Sequence, residues 1–139
     1  MQTRLFSCTI LLIILLSGLV LPACQAKQDQ IITAVSPSEA AELIAKHRGN
    51  ADFVILDIRT PGEYQSGHLK DAIMIDYYSK SFVDDIRRLD KEKSYLVYCR
   101  SGNRSARSMD LLQKLQFQKI YHLATGINGW NSAGLPLVR

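Results

Sequence analysis

The chain has 139 residues, of which 47% are hydrophobic and 22% are charged, and its formal net charge is +4. This length suits one domain of ordinary size, and the composition excludes an intrinsically disordered chain. The basic residues are scattered along the sequence, so the net charge gives no indication of nucleic-acid binding.

The N-terminal segment, residues 1–26, has the pattern of an export signal. Arg4 precedes an apolar run over residues 5–21, and small residues follow that run at once. A basic start, an apolar middle and a small-residue end are typical of a cleaved signal peptide. The run also approaches the length of a membrane-spanning helix, so a retained anchor is the alternative. We expect cleavage, export to the periplasm or cell envelope, and a short linker over residues 27–30.

The end of this signal, LPACQA, allows two processing sites. Residues 21–24 resemble a bacterial lipoprotein box, in which a lipidated Cys24 would become the first mature residue. Pro22 is unusual within such a box, and the alternative is ordinary cleavage after Ala26. A diacylated cysteine supplies enough acyl chain for stable membrane anchoring. Membrane attachment through Cys24 and release without a lipid are therefore both open.

A helix is predicted at the start of the remaining sequence, residues 31–139. Ser36 suits the N-cap, Pro37 the first helical position and Glu39 the capping-box position. Gly49 is predicted to stop the helix. Its apolar stripe consists of Ala40, Leu43 and Ile44.

Strands and helices alternate over the rest of the domain. The predicted strands are residues 53–59, 72–76, 95–99 and 119–124. The predicted helices are residues 81–89, with Phe82, Val83, Ile86 and Leu89 directed inward, residues 105–115, and a short helix in the Gly-rich segment 126–137. Nearly continuous apolar strands are typical of a parallel sheet that is covered on both faces. The sequence thus predicts a three-layer α/β domain with a mainly parallel central sheet flanked by helices.

Only one cysteine falls within the predicted domain. Cys8 lies in the signal and Cys24 at its end, which leaves Cys99 without an internal disulfide partner. Such a cysteine is either buried and inert or reactive. Ligands of parallel α/β sheets bind beyond the carboxyl ends of the strands, and Cys99 ends a strand that we place centrally.

The segment CRSGNRS, residues 99–105, favours a reactive cysteine. Gly102 permits a backbone conformation that side chains with a Cβ avoid, and a tight loop closing onto a helix start directs N–H groups inward. Arg100 and Arg104 add positive charge. These features predict a thiol pKa below the ordinary value, whereas an inert cysteine in a βα turn is the alternative.

Three motifs follow one another along residues 31–139. They contain Leu56, Asp57, Arg59, Glu63, Gly67, His68 and Ala72 in the first, CRSGNRS in the second, and Gly126, Trp130, Gly134, Leu135 and Pro136 in the third. Together, over residues 31–139, they resemble the rhodanese homology domain. Lys70 and Asp71 stand where the family often has Pro-Gly. With its export signal, the chain is similar to the small periplasmic rhodaneses of the phage-shock type.

The resemblance implies a thiosulfate sulfurtransferase. A rhodanese takes a sulfane sulfur from a donor such as thiosulfate, holds it as a persulfide, and gives it to cyanide or a thiol. Cys99 would be the nucleophile, and Arg100 or Arg104 would attract the donor. The substrate-binding N–H groups would be those of Arg100, Ser101, Gly102, Asn103, Arg104 and Ser105. The implied partners are small-molecule sulfur donors and acceptors, with no nucleic acid, no metal and no organic cofactor. A non-catalytic module that delivers or senses sulfur for a partner protein is the alternative.

Loop length and supporting residues complete the prediction. Four residues separate Cys99 from Arg104, whereas the loops of dual-specificity phosphatases and arsenate reductases have five, so we expect sulfur transfer rather than phosphoryl transfer. Asp57 and Arg59 are predicted to form a buried structural pair that includes Glu63. His68 is predicted to be structural and Trp130 to pack in the core. Residues 77–80 either border the pocket or form an ordinary loop.

Overall fold

The computed structural model describes residues 31–139. The predicted signal, the linker and the lipidation of Cys24 lie outside these residues. In chain order the elements are β1 Ile31–Val35, α1 Pro37–Lys46, β2 Phe53–Asp57, α2 Pro61–Gln65, β3 Ile73–Met74, α3 Phe82–Arg88, β4 Ser94–Tyr98, α4 Asn103–Lys114, β5 Lys119–Leu123 and α5 Gly126–Ser132.

The five strands form one parallel sheet in the order β1-β5-β4-β2-β3. The predicted fold class is confirmed, and the strand that precedes Cys99 is central, as predicted. Val97 of β4 lies opposite Leu56 of β2 and His122 of β5. Every crossover returns the chain to the same end, so the carboxyl ends of β2, β4 and β5 meet at one edge of the sheet.

Each face of the sheet has its own core, because successive strand residues point to opposite faces. On one face Ile55 and Leu96 pack with residues of α1 and α5, including Ala40 and Trp130. The second core contains Leu56, Val97, Cys99, Phe82, Ile86 and Leu112, so it is covered by α3 and α4. Cys99 therefore belongs to the face on which the helix following its loop packs.

Local sequence accounts for the start of α1. The Ser36 hydroxyl accepts from the Glu39 N–H at 3.3 Å, and the Glu39 carboxylate accepts from the Ser36 N–H at 2.7 Å. Pro37 occupies the first helical position, where its missing N–H costs nothing. The helix ends at Lys46 with His47 as its C-cap, before the predicted stop at Gly49.

The structure corrects several element boundaries. β1 was not predicted, although four of its five residues are β-branched, and it pairs with β5 alone. β3 has two residues, not the predicted five, and Ile73 is 43% exposed because β3 is an edge strand. β2 ends at Asp57 rather than residue 59, and α4 begins at Asn103, two residues before the predicted start.

Val83 does not point inward as predicted, since it is 42% exposed. Phe82 and Ile86, four residues apart, fill the buried face of α3 and turn Val83 toward solvent. Among residues 31–139, no helix has both the length and the apolar character needed to cross a bilayer.

Candidate active site

Cys99 is placed at the carboxyl end of the central strand. It lies one residue beyond β4, rather than ending the strand as predicted, and its side chain is completely buried. Four residues later, Asn103 begins α4. The short loop therefore wraps over the sulfur before the helix starts.

Hydrogen-bond donors surround the sulfur of Cys99. The Gly102 N–H donates to Sγ at 3.1 Å, and the Ser105 hydroxyl lies 3.5 Å from Sγ. Burial alone would raise the pKa of the Cys99 thiol. The Ser105 hydroxyl and the backbone N–H groups of Ser105, Ser101 and Gly102 outweigh that effect, so the pKa of Cys99 lies below its ordinary value. The donors favour the thiolate because they bond to the charged sulfur more strongly than to the neutral thiol.

Backbone contacts from α5 fix the orientation of this loop. The Ile127 N–H donates to the Cys99 carbonyl at 2.9 Å, and the Asn128 N–H donates to the Arg100 carbonyl at 3.0 Å. With these carbonyls directed toward α5, the following amides are free to face the sulfur. Gly102 has a φ of 90°, and a Cβ there would lie 1.8 Å from the Ala124 carbonyl oxygen. Glycine is thus required at this position by both conformation and space.

Arg104 and Glu63 form a bidentate ion pair. Nη1 lies 2.8 Å from Oε2 of Glu63, and Nη2 lies 2.6 Å from Oε1. The Arg104 guanidinium lowers the pKa of Glu63 to about 2, with help from the N–H and hydroxyl of Thr60. Glu63 in turn raises the pKa of Arg104. Arg104 was predicted to attract the sulfur donor, but its positive charge is therefore largely paired with the Glu63 carboxylate.

Above the loop lies an open cavity of about 350 Å³. It is lined by Glu63, Tyr78, Arg100, Ser101, Asn103, Arg104 and Arg107. The Arg104 guanidinium lies over the Tyr78 ring, with its Cζ atom 5.5 Å from the ring centroid. Arg100 and Arg107 are exposed, and neither forms an ion pair within residues 31–139. The cavity thus combines a basic rim with a floor of backbone donors.

Comparison with known proteins assigns the chain to a family. Residues 36–133 match the family described as "Rhodanese-like domain". The chain belongs to this family. It is 30% identical to a thiosulfate sulfurtransferase GlpE of Actinobacillus pleuropneumoniae over 110 residues, which cover 78% of this chain and 95% of that protein. It is also 28% identical to a sulfurtransferase of Allochromatium vinosum, over 75% of this chain and 95% of that one.

A solved structure supports the same assignment. A rhodanese-related protein from Thermoplasma volcanium has a TM-score of 0.59 and 26% identity to this chain, over 76% of this chain and 97% of that protein. The chain is thus a rhodanese domain related to GlpE-type thiosulfate sulfurtransferases. It covers nearly the whole length of each of these relatives.

Asp57 and Arg59 form a buried ion pair at the carboxyl end of β2 in the rhodanese domain. Arg59 Nη2 lies 2.7 Å from Oδ2 of Asp57, its Nε donates to both carboxylate oxygens at 3.0 Å, and both residues are buried. Arg59 also donates to the Gly67 carbonyl at 2.8 Å. Glu63 is hydrogen-bonded to Arg104 rather than to this pair, and it acts on Arg59 only through its charge, which helps to raise the pKa of Arg59.

His68 has structural contacts, as predicted. Its ring stacks on Tyr64 at 3.7 Å, and its Nδ1 lies 3.0 Å from the Tyr64 carbonyl. Its backbone exchanges two 2.9 Å hydrogen bonds with Val138, which attach the C-terminus to the domain. Trp130 is buried, as predicted, and donates to the Pro136 carbonyl at 3.0 Å.

Sequence reasoning missed two residues near the loop. Arg107 lines the cavity because it lies one helical turn beyond Arg104 on α4, and this spacing could have identified it. His122 contacts Ser105, and a histidine near the carboxyl end of an otherwise apolar strand was the available signal. Within the described part of the chain, no group of three or more His, Cys, Asp or Glu side chains is placed to hold a metal ion.

Proposed function

We propose that the protein is a thiosulfate sulfurtransferase that carries sulfur as a persulfide on Cys99. The Cys99 thiolate attacks the outer sulfur of thiosulfate, a new S–S bond forms, and sulfite leaves with the electron pair of the broken bond. Cyanide or a thiolate then attacks the terminal sulfur of the persulfide. Thiocyanate or a new persulfide departs, and the Cys99 thiolate is restored. Two half-reactions of this kind give ping-pong kinetics.

The observation that supports this proposal is the set of hydrogen-bond donors around the Cys99 sulfur. The Gly102 N–H and the Ser105 hydroxyl lie at 3.1 and 3.5 Å from Sγ, and the pKa of the thiol is lowered despite complete burial. A thiolate is the nucleophilic form of cysteine. The same donors would stabilise the negative charge of a persulfide, which stays at the loop between the two half-reactions.

Arg100 and Arg107 supply the positive charge that attracts the anionic donor. Both line the cavity and neither is paired with a carboxylate in the described part of the chain, whereas Arg104 is bonded to Glu63. We therefore move the donor-binding role from Arg104 to Arg107 and keep it for Arg100. Arg100→Ala and Arg107→Ala should raise the apparent KM for thiosulfate, and the effect should shrink at high salt because exposed charges are screened.

The loop length favours sulfur transfer over phosphoryl transfer. Four residues separate Cys99 from Arg104, and the loop covers the sulfur completely. We propose that this space accepts one transferred sulfur atom and is too small for a phosphoryl group with three free oxygens. Hydrolysis of aryl phosphates should be negligible. Brisk phosphatase activity that disappears in Cys99→Ser would contradict this assignment.

Intact-mass measurement tests the proposal directly. Thiosulfate should add the mass of one sulfur atom to the purified protein, and cyanide should remove it with formation of thiocyanate. Cys99→Ser should stay folded and gain no sulfur. Sulfur transfer by Cys99→Ser would overturn the mechanism. Loading of Cys99 without turnover on cyanide or small thiols would favour the alternative, a sulfur-carrying module that acts with a partner protein.

We also propose that the domain acts outside the cytoplasm, on the strength of residues 1–26. If Cys24 is lipidated, the protein should fractionate with membranes and lose this behaviour in Cys24→Ala. A mature protein that begins at Lys27 and is recovered in the soluble periplasmic fraction would exclude lipidation and support ordinary cleavage after Ala26.

A further inference from the structure

His122 lies beside the reactive sulfur, and the sulfur-transfer reaction as written above gives it no role. It is half-buried on β5, the strand next to β4. Its Nε2 lies 2.8 Å from the Ser105 hydroxyl oxygen. The same oxygen is 3.5 Å from Sγ of Cys99, so one hydroxyl group separates the imidazole from the nucleophile.

The Ser105 hydroxyl has one hydrogen to donate but several possible acceptors around it. It can donate one hydrogen, and three acceptors are within reach: Sγ of Cys99, the Gly102 carbonyl oxygen at 3.0 Å, and Nε2 of His122 if that nitrogen carries no hydrogen. The Gly102 carbonyl already accepts from the Ala106 N–H at 2.8 Å. The direction of the Ser105 hydrogen therefore depends on the hydrogen at Nε2.

The surroundings of His122 determine which form it takes. Burial lowers the pKa of His122, and the Gly102 carbonyl opposes this effect because it favours a ring hydrogen directed toward it. A lowered pKa favours the neutral ring, and a neutral ring with its hydrogen on Nε2 can donate to the Ser105 hydroxyl oxygen 2.8 Å away. In that form Nε2–H donates to the Ser105 oxygen, and the Ser105 hydrogen is left for the sulfur or the carbonyl.

We propose that His122 is a positioning residue for Cys99, in which Nε2–H donates to Ser105 Oγ and thereby directs the Ser105 hydroxyl hydrogen toward Sγ. In this role His122 contacts neither the sulfur donor nor the sulfur acceptor of the transfer reaction. Its effect on the rate of sulfur transfer rests on the proposed function, but its effect on the Cys99 thiol does not. That separation determines the choice of experiment.

The test uses two amides that replace different ring nitrogens. The side-chain NH2 of His122→Gln can reach the position of Nε2, whereas that of His122→Asn reaches only the position of Nδ1. The rate of alkylation of Cys99 by iodoacetamide is measured against pH in the full-length protein, with the modified cysteine identified by peptide mass. The thiol pKa should rise by about one unit in His122→Asn, the shift expected from losing one hydrogen bond to a charged sulfur. In His122→Gln it should stay near the native value.

Two controls separate this role from general packing. His47→Leu alters a histidine that stacks on Phe53, away from the loop, and should leave the Cys99 pKa unchanged. In a Ser105→Ala background the Asn and Gln variants should have equal Cys99 pKa values, because the intervening hydroxyl is gone. Equal pKa values for His122→Asn, His122→Gln and the native protein would overturn the proposal. So would an undiminished difference between the two variants in the Ser105→Ala background.

The outcome is independent of sulfur transfer. A Cys99 pKa that depends on His122 in a protein that takes no sulfur from thiosulfate would refute the proposed function alone. A protein that loads sulfur normally, with a Cys99 pKa indifferent to His122, would refute this inference alone.

Discussion

The starts of α1 and α2 are built alike but serve different parts of the molecule. In each, the N-cap hydroxyl accepts from the third helical N–H, at 3.3 Å for Ser36 and 3.4 Å for Thr60. In each, the glutamate at that third position accepts from the N-cap N–H, at 2.7 Å for Glu39 and 3.1 Å for Glu63. Glu39 is exposed, whereas Glu63 also binds both terminal nitrogens of Arg104.

The difference shows how a local motif becomes part of a site. A capping box satisfies two N–H groups wherever a helix begins, and it does so equally well in α1 and α2. Only the second box faces the active-site loop, so only its glutamate has a distant arginine within reach. The N–H and hydroxyl of Thr60 bond the same Glu63 carboxylate that Arg104 contacts. Substitutions that remove the glutamate carboxylate, the hydroxyl of the N-cap residue or the methyl group of Thr60 should separate these contributions.

The largest expected effect is that of replacing the glutamates. Glu63→Gln should lower the free energy of unfolding by about 2 kcal/mol, because it removes one partner of a partly buried, two-pronged ion pair. Sulfur loading should also slow, since Arg104 is no longer fixed beside the loop. Glu39→Gln should change neither quantity measurably. Urea unfolding and the rate of sulfur loading check these expectations, and equal losses from both substitutions would refute the comparison.

Acid should erase the contribution of Glu63. Its pKa is lowered from 4.5 to about 2 by Arg104, so its contribution to stability is complete above the unfolded value and is lost as the pH falls through the folded value. The free-energy difference between the native protein and Glu63→Gln should therefore decline from about pH 5 and vanish near pH 2. Thermal unfolding across this range measures it. A difference that persists undiminished at pH 2 would mean that packing, not charge, is lost in the variant.

The local features of this contrast were predictable, and the distant ones were not. The cap at Ser36 and the hydrogen-bond donors around the Cys99 sulfur come from residues a few positions apart, so sequence alone predicts both. Glu63 and Arg104 are 41 residues apart, and nothing in either local sequence specifies their pairing. The main partner of Glu63 was missed because sequence proximity to Asp57 and Arg59 does not indicate which side of α2 faces the loop.

The sheet likewise shows that features set by long-range contacts are hard to predict from local sequence. Strands β2, β4 and β5 were predicted, and the signal was clearest for β2 and β4, which are nearly continuous in apolar residues. Of the edge strands, β1 was missed although its sequence IITAV is rich in β-branched residues, and β3 was predicted too long because only Ile73 and Met74 pair with β2. His122 was missed because its importance depends on strand register, which places β5 beside the strand that ends at Cys99.

Removing the caps should have an intermediate effect. Ser36→Ala and Thr60→Ala should each lower the free energy of unfolding by about 1 kcal/mol, as is usual for loss of an N-cap hydroxyl. Only Thr60→Ala should also slow sulfur loading, because Glu63 loses the 2.9 Å hydrogen bond from the Thr60 hydroxyl that helps to hold its carboxylate. Slower loading in Ser36→Ala as well would indicate that general stability, not the position of Glu63, controls the rate.

The smallest expected effect comes from exchanging the two cap residues. Thr60→Ser and Ser36→Thr both keep the hydroxyl oxygen that accepts from the third helical N–H, and they differ from the native residues only by a methyl group. Because serine and threonine are both effective N-caps, each exchange should change the free energy of unfolding by only about a few tenths of a kcal/mol. Thr60→Ser should load sulfur at the native rate, since its hydroxyl can still donate to Glu63. If Thr60→Ser slows loading as much as Thr60→Ala does, the methyl group and not the hydroxyl positions Glu63, and the two helix starts would differ in their packing rather than in what their glutamates contact.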